Sequence, residues 1–187
     1  MKYKILIRLT LFVISSASVL AQPVYSTKTG TASFFSKAPL EDIDATSNSL
    51  NSFINTSNGD VVFVVVITSF KFQKALMQEH FNENYMESAK YKTATYKGKI
   101  KEPLDFAKDG EYSVTTTGTL NMHGVDNNIN EKGTITVKDG KATLKSSFKI
   151  KLDDYKIKIP RVVVENIAEV FDVNIEAAYT PHIIEKK

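Results

Sequence analysis

From residue 142 to residue 152 the chain reads ATLKSSFKIKL, and its side chains alternate in character one by one. Ala142, Leu144, Ser146, Phe148, Ile150 and Leu152 fall on one face, and Lys145, Ser147, Lys149 and Lys151 on the other. A period of two excludes an amphipathic helix, whose apolar positions recur three and four residues apart. At ~3.3 Å per residue the run reaches about 35 Å. A strand that long, with one dry and one wet face, suits a curved antiparallel sheet closing into a barrel. The preceding Lys138-Asp139-Gly140-Lys141 is a tight hairpin, since Asp-Gly tolerates the positive φ of a two-residue turn. Ile135 and Val137 carry the alternation back into residues 133–138.

The rest of the chain reads the same way. Residues 111–121 place Tyr112, Val114, Thr116, Gly118 and Leu120 on one face, and residues 169–179 do so with Phe171, Val173, Ile175, Ala177 and Tyr179. Strands are also expected at residues 31–36, 49–55 and 93–100, with a weak alternation at 38–46. Thr56-Ser57-Asn58-Gly59 supplies a turn before residues 60–67, whose β-branched side chains point both ways and call for cover on both faces, one of them expected from the helix-patterned stretch that follows. Residues 22–30, with Pro23 and Gly30, read as a lead-in, 180–187 as a polar tail, and Pro160 as the opening of a short helix at 161–168. The count is about eight strands in one domain, at a length that supports one sizeable core. Eight is the number at which a barrel either fills with side chains or holds one small ligand.

The first 21 residues stand apart from this pattern. Lys2, Lys4 and Arg8 precede an apolar run at 9–14, and Val19-Leu20-Ala21 offers short residues at the −3 and −1 positions of a cut before Gln22. That is the layout of a cleaved secretory signal peptide, too short in its apolar part to span a bilayer. It predicts a periplasmic or secreted protein whose domain occupies residues 22–187. The segment holds three basic residues and no acidic one, so the remainder carries 21 Lys and Arg against 21 Asp and Glu. A net charge of zero, with lysines scattered among acids, argues against nucleic acid as a partner. No later run reaches membrane-spanning length, and no stable membrane insertion is expected. The chain has no cysteine, which removes disulfides, thiol nucleophiles and thiolate metal sites together.

One stretch departs from strand character. Residues 69–98 open with a helical pattern and set Phe70, Phe72, Leu76, Met77, Phe81, Tyr85, Met86 and Tyr96 among Glu79, His80, Asn82, Glu83, Asn84 and Glu87. So many large apolar side chains beside polar ones would form the lid and floor of a ligand pocket, or equally a helix that plugs a barrel end.

The block LMQEHFNENYMES at 76–88, followed by Lys90-Tyr91 and ATYKG at 94–98, resembles the YceI-like family of exported proteins. SKAPLEDIDA at 36–45, GTLNMHGV at 118–125 and DYKIKIP at 154–160 agree with it in the same order. Lys92 stands where related sequences usually have proline. The resemblance implies an all-β fold, an extended eight-stranded antiparallel lipocalin-like β-barrel with a short helical insertion. It further implies a long apolar cavity that in some members holds a polyisoprenoid or another long-chain lipid-like amphiphile, and it admits a homodimer without requiring one.

On that basis the expected ligand-binding residues are Phe34, Phe63, Phe70, Phe72, Leu76, Met77, His80, Phe81, Tyr85, Met86, Tyr96, Leu120, Phe148 and Phe171. Methionines suit such a wall because their side chains adapt to irregular ligands. The same residues would serve equally to fill a solid barrel, leaving an interaction or stress-response protein whose function lies on its surface. Catalytic and metal chemistry find little support. Histidines occur only at 80, 123 and 182, so no His-x-x-x-His pair exists, and there is no G-x-S-x-G elbow or phosphate-cradling glycine loop. Glu79 beside His80 would be the start of a hydrolase site acting on a hydrophobic substrate only if partners converged on them. His123 before Gly124 is expected at a turn, and no cofactor is expected.

Overall fold

The computed structural model describes residues 23–37, 42–159 and 168–183. The expected signal segment and the expected helix after Pro160 lie outside them. Strand β1 is Pro23–Ser36, β2 Ile43–Asn55, β3 Asp60–Val66, β4 the two-residue Lys71–Phe72, β5 Thr93–Ile100, β6 Gly110–Met122, β7 Val125–Lys138, β8 Lys141–Lys151 and β9 Val170–Ile183. A six-residue helix α1, Ala75–His80, runs into a π-helical turn, Phe81–Tyr85. All pairings are antiparallel. They run β1-β9-β8-β7-β6-β5-β3-β2, and β2 pairs again with β1, so the eight long strands close into a barrel with β4 appended to β2.

The inward face is the apolar face the alternation predicts. Val114 and Leu120 on β6, Ile135 and Val137 on β7, Leu144 on β8, and Ala177 and Tyr179 on β9 are all buried. The β7–β8 hairpin turns at Asp139 and Gly140, with φ of 50° and 71°, the two positive values that Asp-Gly supplies at little cost.

One end of the barrel is packed solid. There Tyr25, Ile54, Val61, Ile100, Phe106, Ile135, Val137, Ala142 and Tyr179 belong to a buried cluster that continues along the barrel to Met86, Met122, Tyr155 and Ile157. The Tyr25 and Phe106 rings lie 4.5 Å apart, and the Tyr25 hydroxyl donates to Gly140 O at 3.0 Å. Tyr179, 1 % exposed, meets Ser52 Oγ at 2.8 Å. Because Ser52 gives its own proton to Val62 O at 2.9 Å, the phenol is the donor of that pair. At the opposite end, α1 and the π turn lie across the barrel mouth.

Two inward glycines set the shape of the interior. Gly98 on β5 faces Gly118 on β6. A Cβ on Gly118 would stand 2.2 Å from Lys97 O and 2.4 Å from Gly98 Cα, so the two backbones approach more closely than any side chain allows.

Four expectations need correction. Residues 22–30 are no lead-in, because β1 begins at Pro23 and pairs with both β2 and β9 through register shifts around Gly30. The tail does not fray at Thr180: β9 continues to Ile183, with Thr180, Pro181 and His182 opposite Ser26, Tyr25 and Val24. Strand β7 extends back to Val125 and takes in the polar residues 126–132. The helix does not cover the outer face of β3; Val62 and Val64 are half-buried there, and Val66 is 39 % exposed.

Gly118→Ala is expected to lower stability by roughly 1–3 kcal/mol, the usual cost of overpacking. Gly110→Ala, whose new methyl would meet nothing nearer than 3.6 Å, should stay within about 0.5 kcal/mol of the parent. Denaturant midpoints compare the two. Burial holds the Tyr179 phenol far above the ordinary tyrosine value of 10.0. Above about pH 10 the unfolded chain releases this proton and the folded chain keeps it, so stability falls as pH rises. Tyr179→Phe should make that alkaline decline shallower, as read from melting temperatures between neutral and alkaline buffers.

Candidate functional site

Above the solid end the barrel is hollow. A cavity of about 670 Å³ runs from mid-barrel to the helical segment. All the side chains expected at a site reach its wall. Phe34 comes from β1, Phe63 from β3, Phe72 from β4, Tyr96 from β5, Leu120 from β6, Phe148 from β8 and Phe171 from β9. Leu76, Met77 and His80 come from α1, Phe81 and Tyr85 from the π turn, Met86 from its C-terminal cap, and Phe70 from just before β4.

The helical segment holds its place through aromatic contacts. A six-residue helix is too short to be stable alone. Its first turn has no side-chain cap, and none of its residues is buried. Phe81, at the switch from α to π, meets Phe72 at 5.0 Å, Phe34 at 5.5 Å and Phe70 at 5.8 Å between ring centroids. Phe34 also meets Phe171 edge-on at 5.6 Å, so the cluster joins the helical segment to β1 and β9. The wider π turn, closed by Met86 N donating to Phe81 O at 2.9 Å, turns Met86 inward to 5 % exposure. On the solvent side Leu76 is 61 % exposed at the rim.

His123 fastens the far side of this segment. It sits at φ 52° in the β6–β7 turn, its Nδ1 3.0 Å from Tyr155 O and its Nε2 3.2 Å from Glu87 Oε1. Its ring lies edge-on to Tyr91 at 4.6 Å. The turn role expected of His123 thus comes with a second one, tying the end of the helical segment to the 3-10 turn Leu152–Tyr155. His80 is exposed at the cavity mouth, and the exposed Glu79 is off the wall. The two do not converge on a reacting centre. Among the described residues no group of three or more His, Asp or Glu side chains is placed to hold a metal.

The wall also contains polar residues that the alternation did not single out as a site. Glu131 on β7 and Thr116 on β6 both line the cavity and face each other in register. Burial pushes the Glu131 carboxyl above its ordinary value. The buried Tyr96 hydroxyl is on the same wall, and burial raises its pKa in the same way. Counting back by twos from Val137 and Ile135 puts Gly133, Glu131 and Ile129 on the inner face. That signal is available once residues 126–132 are accepted as strand.

Nor is the wall evenly sealed. The β7–β8 ladder runs only from Lys138–Lys141 to Gly133–Ser146. Beyond it, Val125–Lys132 of β7 keeps its partner β6, and Ser147–Lys151 of β8 keeps its partner β9, but the two edges do not pair with each other. Ser146 Oγ donating to Lys132 O at 2.6 Å marks the near end of this slot, and Asn127 Nδ2 donating to Asp154 O at 2.7 Å the far end. Ile129, Glu131, Phe148 and Ile150, on its two banks, all line the cavity.

Comparison with solved structures agrees on the fold. The chain superposes on a polyisoprenoid-binding domain from Saccharophagus degradans with a TM-score of 0.72 at 18% identity, covering 85% of this chain and 98% of the other. For BcnA of Burkholderia cenocepacia the TM-score is 0.68 at 12% identity, with coverage of 81% and 96%. For a YceI protein of Campylobacter jejuni it is 0.54 at 20% identity, with 74% and 81% covered. A search among curated proteins found no match. The sequence profile of the YceI-like domain matches residues 18–179, nearly the whole barrel, and the chain belongs to that family.

Proposed function

We propose that this chain is an exported, non-catalytic carrier that holds one long-chain apolar ligand, a polyisoprenoid or another lipid-like amphiphile, in its barrel. The observation that supports the reading most strongly is the half-hollow interior. One end of the barrel has the close packing of a protein core, while the other keeps about 670 Å³ open behind a wall of Phe, Met, Leu and Ile. Cavities of that size and character are typical of small-molecule sites. An unfilled void forfeits dispersion contacts that larger side chains would recover. A hydrocarbon chain supplies them instead, at about 0.8 kcal/mol per buried CH₂.

The rest of the geometry fits such a ligand. The aromatic cluster around Phe81 makes one wall out of a segment with few ties of its own. The slot between β7 and β8 offers a lateral way in that does not break the barrel ladder elsewhere. Family membership adds weight, as one similar structure is described as a polyisoprenoid-binding domain. Export rests on the basic and apolar pattern of the first 21 residues. No helix among the described residues is long and apolar enough to cross a membrane.

Purified protein, extracted with organic solvent and examined by mass spectrometry, should yield a long-chain lipid at close to one per chain. Ala94→Trp, which grows a large side chain from the cavity wall, should fold with a comparable melting temperature and yield little or none. Repeated lipid-free preparations of the parent, together with no uptake of a fluorescent alkane, would overturn the carrier reading in favour of a scaffold with a surface function.

A further inference from the structure

We propose that Tyr96, Thr116 and Glu131 form a head-group subsite within the cavity, one that takes an uncharged hydroxyl, as on a long-chain alcohol or phenol, and disfavours an anionic head such as phosphate. The inference rests on the carrier reading and specifies the chemistry at one end of its ligand.

Tyr96 is the starting point. The residue is 8 % exposed, and its hydroxyl has no hydrogen-bond partner. Few buried polar groups in folded proteins are left so, because an unmet donor is destabilising. Its placement is built in by the backbone. A Cβ on Gly98 would stand 2.3 Å from the Tyr96 hydroxyl oxygen and 2.5 Å from the ring carbon bearing it, so the phenol lies flat over Gly98. Gly118 across the ladder lets the β6 backbone lie close against Lys97 O and Gly98 Cα. The bare Gly98 thus makes room for the ring and its hydroxyl, beside Gly118 of β6.

Thr116 stands two residues along the inward face of β6 from Gly118, and Glu131 is its register partner on β7. Thr116 is near enough to act on the phenol as a hydrogen-bonding side chain, and Glu131 as a nearby charge. Most of the surrounding wall is apolar. The three groups therefore present a phenolic donor, a threonine oxygen whose own proton goes to Glu131 O at 3.5 Å, and a carboxyl oxygen on three adjacent strands, with Glu131 on the bank of the β7–β8 slot. A ligand hydroxyl answers all of them, accepting from Tyr96 while donating to Glu131. A phosphate would bring negative charge against the Glu131 carboxylate in poorly solvated surroundings, where like charges repel strongly. The cations of the wall lie elsewhere: Lys74 and His80 are at the mouth beside α1, and the exposed Lys132 is on the alternate, outward position of β7.

Delipidated full chain should be titrated with a C20 isoprenoid alcohol, its methyl ether and its monophosphate. Each would compete with a pyrene-labelled alkane, a readout free of tryptophan background because the chain has none. The alcohol should bind about five- to tenfold tighter than the ether, the factor a hydrogen bond of ordinary strength provides, and more tightly still relative to the monophosphate. Tyr96→Phe should weaken the alcohol by a similar factor, leave the alkane unchanged and leave the melting temperature of the ligand-free protein equal or higher. Glu131→Gln should bring the monophosphate closer to the alcohol. Equal binding of alcohol and monophosphate by the parent, or an alcohol affinity unmoved by Tyr96→Phe, would overturn the subsite while sparing the carrier reading. If the alkane itself fails to bind the parent, the carrier reading falls first and the subsite with it.

Discussion

The β1–β9 ladder is the contact on which the rest of the molecule depends. Without it the strands would form an open sheet with two bare edges and one large apolar face to hide. With Pro23 set opposite Ile183 at one extremity and Phe35 opposite Asp172 at the other, the sheet becomes a ring of eight long strands. Its circumference is then fixed, and what remains to be decided is whether the inward side chains fill it. At the end bearing Tyr25, Phe106 and Tyr179 they do, and buried phenols make their hydrogen bonds across the barrel. Towards the other end the cavity wall includes Gly133, Ala32 and Ala94, which are too small to meet across the interior.

That division gives the helical segment its character. It need not plug the barrel, because most of the fold's closest packing is already complete at the opposite end. Its attachment comes from a few contacts of high quality: the Phe81 cluster, Met86 turned inward, and His123 bridging to Glu87. Leu76 is left facing solvent. A segment joined in this way covers the cavity without occupying it, and the apolar wall it provides is continuous with that of the strands.

Alternation carried most of the architecture into the sequence, and it failed where polarity or special residues masked it. Residues 142–152 were legible because Lys alternates with Phe, Ile and Leu on a strand that has water on one side only. Residues 126–132 were not, because the inward Glu131 is as polar as the outward Asn130 and Lys132, and only Ile129 betrays the inner face. The end of β9, read as a polar tail, was missed for a different reason. Past Tyr179, which pairs with Ala142 at the start of β8, strand β9 has a single neighbour, and a proline is tolerated on such an edge. The candidate apolar wall was readable residue by residue, since large apolar side chains near an expected barrel mouth have few other places to go. Thr116 and Glu131 were not read as site residues, because their meaning depends on a register that places them side by side, and Tyr96 was expected on the wall without its position over Gly98.

The same register makes the inward glycines more than absences of side chain. Gly118 could in principle be exchanged for alanine in an ordinary strand with a gain in backbone rigidity. Here the close approach of Lys97 O and Gly98 Cα forbids it, and on the facing strand the space a Gly98 side chain would take is occupied by the ring of Tyr96. The chain thus holds a phenol against its own backbone in a place where the hydroxyl has no partner and a carboxyl nearby is poorly solvated. Phenylalanine and glutamine would both relieve that arrangement with little change of shape. A sequence shaped by stability alone would favour the relief, so the presence of both groups on one wall is most economically explained by something that enters the cavity and bonds to them.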